Sequence, residues 1–285
     1  MSAPALRYGL LRRLAQAAVL AGYVLLPLAN AHGFTLVAGT LASLRVWVLD
    51  LTEPAAALSA ALASRGAAPL GALLLGAALP VALSLALGPV YCSWACPFGL
   101  ASELLDRLRR RRRWPPGAHL RVRRTRAVAL GALLSCSVLL GAPLAAILHA
   151  PRAATATLLE AFLLGTATPL AAGLLAAFLA ADGLLPRRLF CRALCPAGAL
   201  ANLLRTPVTL RVAFDAARCR CSAGAPCQQA CPWGVDPRSA GRFDGCTSCL
   251  ACVDVCPTAA LAPRFGATVR HRPLGFRGAR RPPLR

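Results

Sequence analysis

The chain has 285 residues, of which 57% are hydrophobic and only 15% charged, and its formal net charge is +22. All of the positive charge comes from arginine, because the sequence contains no lysine. This composition is typical of membrane proteins. The arginines lie beside apolar stretches and not along one amphipathic face, so we expect no nucleic-acid partner.

Four stretches are apolar and long enough to cross a lipid bilayer, which takes about 20 helical residues. They are Leu14–Ala31, Pro69–Val90, Ala127–Ala150 and Thr157–Ala181. The sequence therefore predicts an all-α membrane fold with four transmembrane helices. Residues at the ends of these spans, such as His149 and Asp182, are expected to be solvated.

The arginines also predict an orientation. If the N-terminus, residues 91–126 and everything after residue 181 share one side, that side holds 29 of the 32 arginines. The positive-inside rule then places both termini in the cytoplasm. The extra apolar segment Gly33–Leu49 is expected to be re-entrant or interfacial on the outer face, since a fifth span would separate the two halves.

A sequence repeat follows two of the predicted spans. Residues 91–99 are YCSWACPFG and residues 190–198 are FCRALCPAG. The cysteine pair, the proline and the glycine recur at an offset of 99 positions, which indicates two duplicated helical hairpins. Pro97 and Pro196 suit the first turn of a following helix, where a missing N–H costs nothing.

The repeated cysteines Cys92, Cys96, Cys191 and Cys195 are candidate redox or metal thiols. In a helix, cysteines four positions apart lie on one face, within reach of one metal or of each other. If the two hairpins meet, the pairs supply four thiolates to one centre or act as redox-active thiol pairs. The alternative is that they are small side chains that pack helix ends.

The C-terminal part contains a ferredoxin-type motif. Cys246, Cys249, Cys252 and Cys256, followed by Pro257, form a C-x2-C-x2-C-x3-C-P run, which is typical of [4Fe–4S] clusters. Zinc sites usually pair two C-x2-C knuckles across a longer loop, so zinc is disfavoured. The 13 cysteines, mostly in short-spaced groups, also favour metal ligation over disulfides.

An upstream run is less regular. Cys221, Cys227 and Cys231 match the motif, but Gly224 stands at its second cysteine position, and Cys219 is the available substitute. In two-cluster ferredoxins the fourth cysteine of each run serves the other cluster. Iron of one cluster is then expected on Cys231, Cys246, Cys249 and Cys252, and iron of the other on Cys219, Cys221, Cys227 and Cys256. The irregular site fits a four-iron cluster of altered potential, or a three-iron or labile one.

These motifs together resemble the NapH/MauN-type membrane ferredoxins, a family of quinol dehydrogenase membrane components and methylamine-utilisation proteins. The resemblance covers essentially the whole chain. It suggests a four-helix membrane domain at 1–205 and a small tandem-cluster ferredoxin-like domain with a basic tail at 206–285. It also implies a multi-pass protein of the bacterial cytoplasmic membrane with its ferredoxin domain in the cytoplasm.

The resemblance implies electron transfer from quinol or a cytoplasmic donor to a periplasmic oxidoreductase system such as methylamine utilisation. Lipid, a redox protein and quinol are the expected partners. The alternative is an assembly or maturation factor, whose cysteine pairs reduce a metal or disulfide on a client enzyme. A third possibility is that the clusters are structural only. No nucleotide or flavin motif is present, so we expect an electron-transfer component and not a stand-alone enzyme.

Overall fold

A computed structural model describes residues 8–33, 37–40, 42–66, 69–111, 122–184, 188, 190–221, 225–238 and 245–266. Gly224 and the basic tail at 267–285 lie outside these ranges. The described part is mostly helical. Its helices are α1 (Tyr8–Ala31), α2 (Pro54–Ala63), α3 (Leu70–Leu87), α4 (Tyr91–Trp94), α5 (Pro97–Arg111), α6 (Val122–Leu140), α7 (Leu144–Ile147), α8 (Ala150–Leu164), α9 (Pro169–Leu184), α10 (Pro196–Leu203), α11 (Pro226–Ala230) and α12 (Ala251–Asp254), with a π-helical turn at Phe190–Leu194.

Two helices match the predicted spans. Tyr8–Asn30 of α1 and Leu70–Leu87 of α3 are long and apolar enough to cross a membrane by length and composition. Only 12% and 11% of these apolar windows are buried in the protein, whereas the core helix of a soluble protein is mostly buried. The α9 helix is apolar as well but shorter.

The third and fourth predicted spans are not continuous helices, and that prediction is wrong. The α6 helix ends before Gly141, which has a φ of +62°, and Pro143 follows. The α8 helix ends at Gly165, whose φ is +71°, and Pro169 begins α9. Glycine adopts the left-handed conformation that stops a helix, and proline cannot continue the preceding one.

The segment expected to be re-entrant or interfacial forms strands in its described part, so the all-α prediction needs correction. Three short strands, β1 (Val37–Thr40), β2 (Ser43–Val46) and β3 (Leu49–Thr52), make an antiparallel meander. β3 packs against α3. Glu53 then caps α2, because its carboxylate accepts a hydrogen bond from Ala56 N at 2.7 Å.

The core of the helical half is an aromatic cluster where the two repeats meet. Phe98 of α5, Phe178 of α9 and Phe190 of the π-helical turn pack together, with ring centroids 4.3–6.3 Å apart. Cys96 and Cys195 belong to the same buried cluster. The aromatic side chains therefore hold the two cysteine motifs against each other.

The C-terminal part forms its own small core on an antiparallel pair, β4 (Arg211–Phe214) and β5 (Leu261–Arg264). It docks directly on the helical half. Asp254 of α12 accepts hydrogen bonds from Tyr8 N at 3.0 Å and Gly9 N at 2.6 Å, in the first turn of α1. Trp94 of α4 donates to Ser248 O at 3.3 Å. The cysteine-rich part is thus held against α1 and α4.

Candidate functional site

Four cysteines of the C-terminal part form what we call the inner thiol group: Cys231, Cys246, Cys249 and Cys252. Cys249 and Cys252 are 7% and 8% exposed. Cys231 and Cys249 pack together around Trp233 and Val235. Burial, together with the neighbouring thiols of Cys231 and Cys246, raises the pKa of Cys249 to about 12. Cys231 of the upstream run therefore lies with three cysteines of the downstream run.

The other four cysteines form the outer thiol group: Cys219, Cys221, Cys227 and Cys256. They line a single small cleft, partly open to solvent, together with Phe214 and Arg238. Cys256 of the downstream run thus lies among the upstream cysteines, as the crossed scheme predicts. Cys219 lines the cleft as well, which supports its role as the substitute for the missing cysteine.

Backbone N–H groups point at cysteine sulfurs in both the helical half and the C-terminal part. Gly99 N lies 3.3 Å from Cys96 Sγ, and Val235 N lies 3.4 Å from Cys231 Sγ. Each of these cysteines precedes a proline, which has no N–H, so the next residues supply the donors. Hydrogen bonds to sulfur stabilise the thiolate and tune the potential of an iron–sulfur cluster. This environment fits the anionic cluster that the motifs predict.

Buried arginines surround the thiols. Arg12, which also forms a buried salt bridge with Glu103 at 2.9 Å, lies near Cys249, and Arg205 lies near Cys246. Arg188 is 5.2 Å above the ring of Trp233 and also lies near Cys191. A buried cation is costly unless negative charge compensates it. Clusters bound by four thiolates are negatively charged, so this electrostatic environment fits them.

The repeated cysteines form a third set, the membrane-side quartet: Cys92, Cys96, Cys191 and Cys195. The local geometry is the same in both repeats, because Cys96 N donates to Tyr91 O at 3.0 Å and Cys195 N donates to Phe190 O at 2.8 Å. The second cysteine of each pair lies at a helix break, so the expected single helical turn is corrected. The predicted first-turn prolines are confirmed at the starts of α5 and α10.

The two repeats bring their cysteines together. Cys92 Sγ of the first repeat is 3.8 Å from the point where a Cβ on Gly198 of the second repeat would lie. At Gly99 a Cβ would lie 2.4 Å from Cys92 O, so only glycine allows this approach of α4 and α5. The two cysteine pairs therefore lie close together, which is the condition for four thiolates to serve one centre.

The three thiol groups also adjoin one another. Cys191 of the membrane-side quartet packs against the buried cluster that contains Trp233 and the inner-group Cys249. Cys252 of the inner group and Cys227 of the outer group belong to one buried cluster. Thiols therefore follow one another from the helical half to the solvent-facing cleft.

The described residues contain no three Cys, His, Asp or Glu side chains close enough to share one metal ion. A [4Fe–4S] cluster needs a wider arrangement, because each of its four iron atoms takes one thiolate.

Two buried polar groups were not expected from the sequence. His149 and Asp182 were predicted to be solvated, but they are fully buried and 2% exposed, respectively. His149 Nε2 lies 3.9 Å from Glu53 Oε2. Asp182 accepts hydrogen bonds from Ser102 Oγ at 2.6 Å and Phe190 N at 2.8 Å, so it anchors the turn that carries Cys191. Nothing in the sequence around either residue indicated these contacts.

Comparison with known proteins also indicates iron–sulfur cluster binding. A family model described as a 4Fe–4S binding domain matches residues 70–115, and one described as a 4Fe–4S dicluster domain matches residues 187–265. No solved structure matches the chain.

Two curated relatives are similar over long regions. The chain is 32% identical over 250 residues to the methylamine utilization ferredoxin-type protein MauN of Methylorubrum extorquens, covering 86% of this chain and 73% of the relative. It is 30% identical over 193 residues to the putative electron transport protein YccM of Escherichia coli, covering 63% of this chain and 52% of that protein. The chain belongs to the NapH/MauN-type ferredoxin family and is an electron-transfer protein with two [4Fe–4S] clusters.

Proposed function

We propose that the protein relays electrons at the bacterial cytoplasmic membrane between the quinol pool, or a cytoplasmic donor, and a periplasmic oxidoreductase system such as methylamine utilisation. The observation that carries this proposal is the packing of Cys191 against the buried cluster of Trp233, Val235 and Cys249. It joins the thiols of the helical half to those of the ferredoxin part.

The proposed membrane location is supported by the apolar surface of the helical half. Leu75 of α3, Leu139 of α6 and Leu184 of α9 are 72–78% exposed. Exposed apolar surface of this extent marks an interaction with lipid or protein. We propose that α1 and α3 span the bilayer together with two interrupted segments built from α6–α9. The arginine distribution then places the N-terminus and the ferredoxin part in the cytoplasm.

The proposed cluster ligands are the inner and outer thiol groups. Iron–sulfur clusters supply reversible one-electron transfer when bound. The protein's own residues shape this property: Trp233, Val235 and Leu250 exclude water from the inner thiol group, while the outer cleft admits solvent. The inner group thus faces the helical half and the outer group faces a soluble partner.

Anaerobic mixing of reduced quinol with membrane vesicles tests the proposal. A relay predicts that quinol reduces the clusters within the turnover time of the pathway. Cys191→Ser should slow this reduction, while Cys136→Ser should not, because Cys136 is exposed and lies in no thiol group.

The competing maturation function predicts a different outcome. In that case a deletion strain retains normal respiratory electron flow but contains an inactive client enzyme. Quinol that leaves the clusters oxidised, combined with that phenotype, would reject the relay and favour the maturation factor.

A further inference from the structure

We propose that Cys92, Cys96, Cys191 and Cys195 together bind one additional iron–sulfur cluster, shared between the two repeats and distinct from the two clusters of the ferredoxin part. The inference deepens the proposed function, since such a cluster would be the centre nearest the membrane. Its metal content, however, can be measured without any quinol.

The packing brings the four thiols together as one set. Cys96 and Cys195, from different repeats, belong to one buried cluster, and Cys191 packs against it. Cys92 Sγ lies 3.8 Å from the point where a Cβ on Gly198 of the other repeat would lie. Two separate redox pairs would require contacts within each repeat only. The packing across the repeats therefore favours one shared site.

A buried cation supplies an independent observation. Arg126 of α6 is only 3% exposed and lies near Cys92 and Cys195. Its Nε donates to Arg192 O at 2.6 Å, but its Nη1 has no hydrogen-bond partner. An unpaired guanidinium N–H in the interior is destabilising unless negative charge faces it. A cluster bound by four thiolates supplies that charge, whereas four neutral thiols or two disulfides do not.

The sulfur environments resemble those of the ferredoxin part. Cys96 and Cys195 both precede a proline and accept N–H groups from the next residues, including Gly99 and Gly198. Cys231 of the inner thiol group has the same arrangement, with Val235 N as a donor. Among the described residues, these thiols included, no three metal-ligating side chains are grouped to hold a single metal ion. A polynuclear cluster, whose iron atoms each take one thiolate, is the metal centre that we propose for them.

Iron and acid-labile sulfide analysis of the anaerobically purified full chain tests this site, together with electron paramagnetic resonance (EPR) of the reduced protein. The wild-type protein should contain more iron than the eight atoms of two four-iron clusters. The double variant Cys92→Ser/Cys191→Ser should lose only the excess iron and keep both ferredoxin signals. Cys136→Ser, on α6 outside the set, is the matched control and should keep all of the iron.

Other results of these measurements would contradict the proposed cluster. Iron that matches only two clusters in the wild-type protein would overturn the proposal, as would a Cys92–Cys96 or Cys191–Cys195 disulfide in the anaerobically alkylated chain. If the extra cluster is present but quinol does not reduce it, the proposed relay fails and this inference stands.

A second variant avoids changing a ligand. Arg126→Gln removes the buried positive charge and should lower the midpoint potential of the additional cluster. Arg124→Gln, on the exposed side of the same helix, should leave that potential unchanged. Equal potentials in both variants and the wild-type protein would contradict the placement of the cluster beside Arg126.

Discussion

The inner and outer thiol groups come from the same two cysteine runs but lie in different environments. In the inner group, Cys249 and Cys252 are at least 92% buried and Cys231 and Cys246 are half-buried, and Trp233 packs against the group. In the outer group, Cys227 is buried, but Cys219, Cys221 and Cys256 are half-buried and all four line an open cleft. Crossing one cysteine between the runs thus produces one site that is more protected and one that lines an open cleft.

This difference suggests that the two sites exchange electrons with different partners. Low solvent exposure and nearby cations tune the potential of an iron–sulfur cluster, and exposure admits partners and reagents. The inner group adjoins the membrane-side quartet, whereas the outer group meets solvent. We therefore expect the inner site to accept electrons from the helical half and the outer site to exchange them with a soluble protein.

The largest expected effect comes from Cys249→Ser. The variant should lose the inner cluster, about four iron atoms, because a buried thiolate ligand is replaced by a hydroxyl. The outer signal should remain or weaken, since Cys252 lies near Cys227. Iron analysis with EPR gives the readout, and the exposed Cys136→Ser is the control. Full retention of the inner signal would show that Cys249 is not a ligand.

Cluster removal should separate the two sites kinetically. A hydrophilic iron chelator should remove iron from the outer cluster several-fold faster than from the inner one, because the outer thiols line a cleft that opens to solvent. The two decays can be followed by their EPR signals under anaerobic conditions. Equal rates, or faster loss from the inner site, would contradict the assigned environments.

Asp254→Ala should loosen the docking of the ferredoxin part. Asp254 accepts two backbone N–H groups from the first turn of α1, and loss of such a cap costs about 1 kcal/mol. The inner cluster should then become more accessible to the chelator, and the difference between the two sites should shrink. Asp215→Ala is the control, because the described side-chain contacts of Asp215 lie within its own turn. An unchanged inner rate would show that this contact does not protect the inner site.

The smallest effect is expected from Asp236→Asn beside the outer cleft. Burial alone would raise the pKa of Asp236, but hydrogen bonds from Arg238 and Gln228 lower it below its ordinary value. The stabilisation that the Asp236 carboxylate gives to the outer site is therefore present at neutral pH. It is lost only as the pH falls through that lowered pKa. The variant should release outer iron modestly faster, by a ratio that stays constant between about pH 6 and pH 8. A ratio that varies over this range would contradict the low pKa.

The sequence predicted the cysteine chemistry well because short motifs specify it locally. The grouping of Cys231 with Cys249 and of Cys256 with Cys227 agrees with the crossed scheme. The repeat of 99 positions left open whether the cysteine pairs meet, and the structure brings Cys92 of the first repeat beside Gly198 of the second. Ligation by each cysteine and the domain division at residue 205 stay predictions.

Continuous hydropathy was a poorer guide. Hydropathy indicated unbroken spans where Gly141 and Gly165 stop helices. A residue in the left-handed conformation ends a helix without making the segment less apolar. The burial of Arg126, His149 and Asp182 was also not predictable. Those positions depend on partners distant in sequence, such as Arg192, Glu53 and Ser102.

Freeze-quench EPR after anaerobic addition of reduced quinol to membrane vesicles tests the central claim most directly, because it follows the order in which the two ferredoxin clusters are reduced. The account predicts that the inner cluster is reduced before the outer one and that Cys191→Ser delays both. Reduction of the outer cluster first, or normal kinetics in Cys191→Ser, would contradict an electron path that enters through the membrane-side quartet.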